Sequence, residues 1–194
     1  MLTTAGRRRD VGRRSGHGVA ATVDLPPLRE ENALAKALPS NTPAIQRLRA
    51  AKIPFSVHTY AHREGATNYG AAAAAALGVD PERIFKTLVT TTGNDLVVAV
   101  VPVAHSLDLK ALAAAVSAKK VAMAEPAAAA RSSGYVVGGI SPIGQRTPLR
   151  TVIDSSATSY ETVLVSGGRR GMQVELRPDD LVAVTGAIIA RIAL

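Results

Sequence analysis

The sequence predicts an α+β fold, a single domain whose mixed β-sheet is flanked by helices. Predicted strands outnumber predicted helices and follow one another irregularly, so the strict alternation of a doubly wound parallel sheet is absent. Hydrophobic residues make up 47% of the 194 residues, which is enough for a substantial core. No apolar run approaches the roughly 20 residues that a membrane-spanning helix needs, so we expect no membrane association.

The first 40 residues are not expected to join this domain. They are rich in Arg, Gly and Pro without a sustained apolar period, so we expect residues 1–40 to be mostly disordered. We expect no secretory signal, because an apolar h-region is missing. The arginines could form a nucleic-acid arm. They also suit an organelle transit peptide, although the composition favours an N-terminal extension of a bacterial protein.

The domain is predicted to begin with a helix at "TPAIQRLRA". Thr42 is a good N-cap, Pro43 suits the first helical position, and Ala44, Ile45 and Leu48 form an apolar face. The helix must end before the proline of "KIPF". "FSVHTY" then alternates as a short strand, and "NYGAAAAAALG" predicts a helix that its last glycine closes.

The middle and the end of the chain predict strands separated by short helices. "RIFKTLVTT" and "DLVVAVVPV" are strands joined by a hairpin at "TGN". "SLDLKALAAAV" is a helix capped by Ser106 or Asp108, "KKVAMA" a short strand and "EPAAAARSS" a helical turn or two. After a glycine-rich loop, "LRTVID", "ETVLVSGG" and "MQVEL" predict strands, with "GGRRG" as a tight turn. "RPDDLVAVTG" predicts the last helix and "AIIARI" the last strand.

The composition limits the chemistry that is available. The chain has no cysteine, which excludes disulfides, thiolate zinc sites and a cysteine nucleophile and fits a cytoplasmic protein. The net charge is +8, with a balance of +3 in residues 1–40 and +5 in residues 41–194. The predicted domain is therefore basic in its own right. A basic surface favours a polyanionic partner such as nucleic acid, although it could serve solubility alone.

Lys86 in "RIFKTLV" is the first candidate site residue. Side chains alternate along a strand, so Lys86 shares one face with Ile84 and Leu88, and both faces of this strand are largely apolar. Lysine is rarely buried without a partner. Either the stem of Lys86 packs while its ammonium reaches the rim, or the ammonium holds an anion or polarises a carbonyl.

The loop "VGGISPIGQR" is the second candidate. It contains Gly138 and Gly139 in tandem, and glycine permits backbone angles and close approaches that other residues do not. Pro142, three residues after Gly139, fixes φ and removes an N–H donor. The loop could be a plain turn, or it could be shaped so that its backbone amides face a ligand.

The remaining polar residues give less specific patterns. His58 and His62 flank Tyr60, but a spacing of four aligns metal ligands on a helix, and no third ligand follows. We expect both histidines to face solvent at a strand end. Ser166, at a strand end before two glycines, is a site serine or a turn serine. Asp154 could act as a base or could cap the following turn. Together the residues suggest a site that binds and polarises without a protein nucleophile.

Five segments in collinear order resemble the YbaK-type Cys-tRNA(Pro) deacylases, relatives of the editing insertion domain of bacterial prolyl-tRNA synthetases. They are "TPAIQRLRAAKIPFSVHTY", "LGVDPERIFKTLV", "GYVVGGISPIGQR", "TVIDSSA" and "VSGGRRGMQVELRPDDL". The resemblance implies an editing domain over residues 41–194, with a partly barrel-like sheet and no metal or organic cofactor. It also implies hydrolysis of the ester that joins a wrong amino acid, typically cysteine, to tRNA(Pro).

The resemblance also implies roles for individual residues. Those implied to be catalytic are Lys86, Gly138 and Ser166, and those implied to bind substrate are Tyr60, Thr87, Gly139, Ile140, Ser141 and Asp154. Gln173 is a departure, because some members have an acidic residue there, and a catalytic role at this position is therefore doubtful.

The implied mechanism needs no protein nucleophile, because the thiol of the bound cysteine attacks its own carbonyl. The implied partners are the acceptor end of a mischarged tRNA and, transiently, prolyl-tRNA synthetase. Arg146, Arg169 and Arg170 could hold phosphates or be solvated turn residues. Two alternatives stay open: a non-catalytic module that binds tRNA or synthetase, and editing of alanine or serine.

Overall fold

The structure, a computed structural model, describes residues 41–61 and 69–194. The predicted tail and His62 lie outside the described residues. The α-helices of the described part are α1 (Pro43–Ala50), α2 (Tyr69–Leu77), α3 (Leu109–Ala115), α4 (Pro126–Ser133) and α5 (Pro178–Thr185). The strands are β1 (Ser56–Thr59), β2 (Ile84–Thr91), β3 (Leu96–Pro102), β4 (Ala122–Met123), β5 (Arg150–Asp154), β6 (Val163–Ser166), β7 (Met172–Leu176) and β8 (Ile188–Ala190).

All eight strands belong to one mixed sheet in the order β1-β7-β6-β2-β3-β5-β8, with β4 paired to β2 beside this path. The β2–β6, β3–β5 and β5–β8 pairs are parallel, and the other pairs are antiparallel. The prediction of an α+β domain with a mixed sheet is confirmed. The path is open, with β1 and β8 at its two ends.

The residues that the sequence predicts as helix caps form capping hydrogen bonds in the structure. The Thr42 hydroxyl accepts a hydrogen bond from the Ile45 amide at 3.3 Å and donates one to the Gly167 carbonyl at 2.6 Å. The cap of α1 is thereby tied to the turn between β6 and β7. Of the two candidates for the start of α3, Asp108 is the cap, since its carboxylate accepts from the Lys110 and Ala111 amides.

The helices cover both faces of the sheet. On one face, α1 contributes Ile45 and Leu48 to the largest buried cluster, which also contains Phe85 of β2. On the other face, α3 packs through Leu112, and the alanines of α2 pack on Ile84. None of the described helices is long and apolar enough to cross a membrane. Lys86 lies on this second face, between the part that α2 covers and the part that α3 covers.

Candidate active site

The site forms where one edge of β2 is left open. Along its other edge β2 pairs with β3 over nearly its whole length. On the open side, as far as the structure describes the chain, it pairs with β6 only at Ile84 and Phe85, and with β4 only at Thr90 and Thr91. The four residues between, Lys86 to Val89, line a cavity of about 630 Å³ at this gap.

Thr87 lies at the centre of this gap. The Ile84 carbonyl accepts from Val103 at 2.8 Å, on the β3 side, and the Val89 carbonyl accepts from Ala124 at 3.1 Å, on the open side. Because backbone groups alternate along an antiparallel pair, we infer that Thr87 turns its N–H and C=O toward the cavity. Its Oγ1 is buried and has no hydrogen-bond partner among the described residues. A buried polar atom without a partner at a cavity wall indicates a place for a ligand.

The strand registers align four polar side chains. Gln173 of β7 is opposite Ser166 of β6 and opposite His58 of β1. Lys86 continues the β2–β6 register by one residue, beside Ser166. Residues directly opposite each other share a face of the sheet, so these side chains form one row. Lys86, Ser166 and Gln173 line the cavity, and the Gln173 Oε1 is buried with no hydrogen-bond partner among the described residues.

Lys86 places an unpaired positive charge at the cavity wall. Its side chain is half-buried, and no carboxylate of the described residues forms a salt bridge with it. Burial lowers the pKa of the Lys86 ammonium below its usual 10.5, because removal from water disfavours the charged form. An incoming anion or polarised carbonyl oxygen would restore the interaction that the ammonium lacks.

The glycine loop forms the opposite wall and is held closely against its neighbours. Gly138 has φ of +84°, and a Cβ there would lie 2.7 Å from the Tyr69 ring. A Cβ on Gly139 would lie 2.8 Å from the backbone of Arg169. Arg170 lies 5.3 Å from the centroid of the Tyr69 ring and donates to the Val137 carbonyl at 2.9 Å. A side chain at either position would clash with these neighbours, so both positions require glycine.

Ser166 joins this loop to the turn after β6. Its hydroxyl donates to the Gly139 carbonyl at 3.0 Å and accepts from the Gly168 amide at 3.3 Å. The Gly139 amide in turn donates to the Val136 carbonyl. Ser166 thus donates its hydroxyl proton to the loop. The Gly139 amide, which was expected to face a ligand, instead donates its hydrogen bond within the loop. The arrangement suits a positioning role for Ser166.

The structure brings together most, but not all, of the predicted site residues. Those that line the cavity are Tyr60, Lys86, Thr87, Gly138, Ile140 and Ser166. Gly139 lies in the same loop but is buried and does not line the cavity. Ser141 is fully buried, and its hydroxyl accepts from the Ile143 amide. It stabilises the loop and does not line the cavity.

Asp154 also lies outside the cavity, and its carboxylate serves the fold. It accepts hydrogen bonds from the amides of Ser156 at 3.0 Å, Ile192 at 2.7 Å and Ala193 at 2.8 Å. Burial opposes its ionisation, but these bonds outweigh burial and hold the pKa of the Asp154 carboxyl below its usual value. Of the roles predicted from the sequence, the turn cap is the one that the structure shows, and a base at this position has no access to the cavity.

Replacement of Asp154 by alanine is expected to reduce stability by roughly 2–4 kcal/mol, because amides bonded to a charged acceptor lose their partner. The depressed pKa has a second consequence. The contribution of Asp154 is complete above the unfolded carboxyl pKa of 3.8 and is lost as pH falls through the lower folded value. Thermal melts of wild type and Asp154→Ala at pH 7 and pH 3 check both points, since the difference in stability between the two proteins should be smaller at pH 3.

The side chain of His58 is 34% exposed, so it faces solvent only in part, and it is also paired with a carboxylate. Its Nε2 lies 2.7 Å from an oxygen of Glu175, whose other oxygen lies 2.9 Å from the Arg83 guanidinium. Burial opposes ionisation of Glu175, but bonds from Thr162 and His58 and the charge of Arg83 lower its pKa. This half-buried network links β1, β7 and the turn before β2. The described residues contain no group of three side chains suited to a metal ion.

Sequence reasoning missed several residues that line the cavity. Tyr69 begins the alanine-rich helix α2, Met123 ends the short strand β4, and Ala124 follows it. The lone aromatic at the head of an alanine run was a usable signal for Tyr69. Met123 and Ala124 carry no such signal, because only the pairing of β4 with β2 brings them to the cavity.

The described lining of the cavity includes one cationic group, hydroxyls and an amide, but no histidine or carboxylate. It can therefore bind and polarise a carbonyl or an anion, but it offers no conventional general base. Such a site suits a substrate that is already activated or that carries its own nucleophile.

Comparisons with known proteins find relatives along most of the chain. A model of the aminoacyl-tRNA editing domain matches residues 63–184. A protein of Enterococcus faecalis to which Cys-tRNA(Pro)/Cys-tRNA(Cys) deacylase activity is ascribed, EbsC, is 39% identical over 153 residues, covering 78% of this chain and 92% of that protein. The crystal structure of hypothetical protein APE2540 matches with a TM-score of 0.70 at 25% identity, covering 78% of this chain and 99% of that one.

A crystal structure described as a trans-editing enzyme for prolyl-tRNA synthetase matches with a TM-score of 0.69 at 24% identity. The match covers 81% of this chain and 98% of that chain. At this identity the likeness supports the fold.

Proposed function

This chain belongs to the aminoacyl-tRNA editing domain family, and we propose that it is a trans-editing hydrolase that deacylates Cys-tRNA(Pro). The observation that carries the proposal is the cavity at the open edge of β2: within residues 41–61 and 69–194, its lining holds the Lys86 ammonium without a salt-bridge partner and includes no histidine or carboxylate. An aminoacyl ester is an activated substrate, so the site needs to orient it and stabilise developing charge.

The proposed reaction uses the nucleophile of the substrate. The cysteine thiolate attacks its own ester carbonyl, so that a carbon–sulfur bond forms and the bond from the carbonyl carbon to the ribose oxygen breaks. The ribose oxygen leaves with the electron pair and takes up a proton. Water then opens the resulting four-membered thiolactone and yields free cysteine. No step requires a protein nucleophile, a metal or an organic cofactor.

In this reaction Lys86 stabilises the charge that develops on the carbonyl or ribose oxygen. The inferred orientation of the Thr87 amide places a neutral donor at the same gap. Gly138 lets the loop approach the substrate closely, and Tyr60 and Ile140 limit the volume left for the amino acid. A small difference in size between two amino acids is worth only roughly 1–3 kcal/mol of discrimination by pocket shape. Rejection of proline therefore also depends on chemistry, because proline has no thiol that could attack its own ester.

Thr87 offers a test that separates substrate contact from structure. Valine has the same shape but lacks the hydroxyl, and the Thr87 Oγ1 has no partner in the described fold. We expect Thr87→Val to melt at the wild-type temperature or above it, because no protein hydrogen bond is lost. Deacylation should fall roughly tenfold through the lost bond to substrate, worth about 1.5 kcal/mol. Unchanged kinetics in the variant would contradict the contact.

The partners and location follow from this activity. We propose that the enzyme binds the acceptor end of mischarged tRNA, meets prolyl-tRNA synthetase only transiently, and works in the cytoplasm. A module that binds tRNA without catalysis is the second candidate, but a half-buried unpaired lysine inside a cavity is not needed for surface binding to RNA. Editing of alanine or serine on the same scaffold is the third.

A deacylation panel tests the proposal and separates the three candidates. Purified protein is mixed with tRNA(Pro) that carries cysteine, alanine or serine, and release of the amino acid is followed. We expect release of cysteine in preference to the other two. Stable esters together with measurable tRNA binding would favour the binding module, and preference for alanine or serine would replace cysteine as the substrate.

A further inference from the structure

A second cleft, of about 730 Å³, lies beyond the end of β2, between the β2–β3 turn, the loop after α3 and the start of β5. Its lining contains three basic residues, Lys119, Lys120 and Arg150, and one acidic residue, Asp95. Within residues 41–61 and 69–194, neither lysine forms a salt bridge. Both are exposed. The cleft therefore has surplus positive charge that the described fold does not neutralise.

The other polar groups of the cleft suit a phosphodiester. Hydroxyls come from Thr92, Ser117 and Thr147. Hydroxyl and lysine side chains are typical contacts of nucleic-acid phosphates. Arg150 has a different task, because its guanidinium donates to the Val116 carbonyl at 2.7 Å and so holds the loop after α3. The two lysines are the free cations of this lining.

The cleft adjoins the active site through a short segment of chain. Lys120 lines the cleft, and Met123, three residues later, lines the active-site cavity. Three extended residues span at most about 10 Å. Met123 is also 51% exposed, so it lies at the mouth of the cavity. A nucleic acid that enters the cavity on the side of Met123 would pass within reach of Lys119 and Lys120.

We infer that Lys119 and Lys120 bind the phosphodiester backbone of the tRNA close to its aminoacylated end. This inference rests on the proposed function, because the cavity must hold that end. The cleft supplies substrate affinity, and the cavity supplies the chemistry. Removal of the lysines should consequently weaken binding of the whole tRNA and leave the ester-cleaving step intact.

The test compares the double variant Lys119→Gln/Lys120→Gln with a control, Arg47→Gln/Arg49→Gln. The control removes two exposed charges on α1 that line neither the cavity nor the cleft. Each protein is assayed with Cys-tRNA(Pro) and with the cysteinyl ester of adenosine, which has no phosphodiester. Binding of deacylated tRNA is measured against salt concentration, so the cleft is tested even if the wild type cleaves no ester.

We expect KM for Cys-tRNA(Pro) to rise roughly tenfold in the lysine variant with kcat unchanged, and the slope of log K against log salt to fall by about 1.4–1.8. Kinetics on the adenosine ester should match wild type, and the control should match wild type throughout. An unchanged salt slope, an equal loss on both substrates, or an equal loss in the control would each overturn the inference. The inference would also be overturned if the lysine variant kept its binding of tRNA but lost binding of an acidic peptide.

Discussion

Replacement of Lys86 by alanine is expected to reduce deacylation of Cys-tRNA(Pro) by about 10²–10³, the loss typical of removing one donor that stabilises developing negative charge. Lys86 is the cation of the described cavity lining, and no protein carboxylate there competes for it. The loss should appear in kcat, because the interaction strengthens as charge develops. Single-turnover rates with excess enzyme measure it directly.

The fold should survive this substitution. Burial lowers the pKa of Lys86, so the charged side chain disfavours the folded state at neutral pH, and this cost disappears only when the ammonium deprotonates. We therefore expect the melting temperature of Lys86→Ala to stay near wild type. Lys110→Ala, at an exposed position on α3, is the matched control and should retain full activity. A folded Lys86→Ala enzyme with near wild-type rates would remove Lys86 from the site.

Cys-tRNA(Pro) is expected to be cleaved about 10²–10⁴ times faster than the same tRNA carrying serine. Serine has a similar size, but its hydroxyl needs a general base to attack, and such a base typically contributes 10²–10⁴ in rate. The described lining of the cavity offers no histidine or carboxylate for that task. The thiol needs less help, because a few per cent of it is ionised at pH 7.

The pH dependence gives a second measurement of the same mechanism. Cleavage of Cys-tRNA(Pro) should rise with pH toward the thiol pKa of about 8.5, after the uncatalysed rate is subtracted. It should fall again as Lys86 loses its proton, at a pH below the usual 10.5. Equal rates on the cysteine and serine esters would show instead that the protein activates water.

Local signals explain how much of the fold the sequence predicts. Thr42 and Pro43 mark the start of α1, and Gly78, with φ of +63°, closes α2, because capping and glycine chemistry act over a few residues. The apolar residues on both faces around Lys86 are typical of an interior strand, and β2 lies between β3 and β6. These features depend on neighbours along the chain and are readable without tertiary structure.

The open edge of β2 could not be predicted in this way. It exists because β6, about 80 residues later in the chain, covers only the first two residues of β2, while β4 covers only the last two. The pairing of His58 with Glu175 is likewise a product of the β1–β7 register. The sequence pattern shows that these residues are polar. It does not show which strand edge stays unpaired or which carboxylate pairs with a histidine.

The proposed function is tested most directly by one comparison, deacylation of Cys-tRNA(Pro) and of correctly charged Pro-tRNA(Pro) by the wild-type protein under single-turnover conditions. It predicts rapid release of cysteine and a proline ester that decays at the rate measured without enzyme. A cysteine ester that survives as long with the enzyme as without it would contradict the account, and so would equal cleavage of both esters.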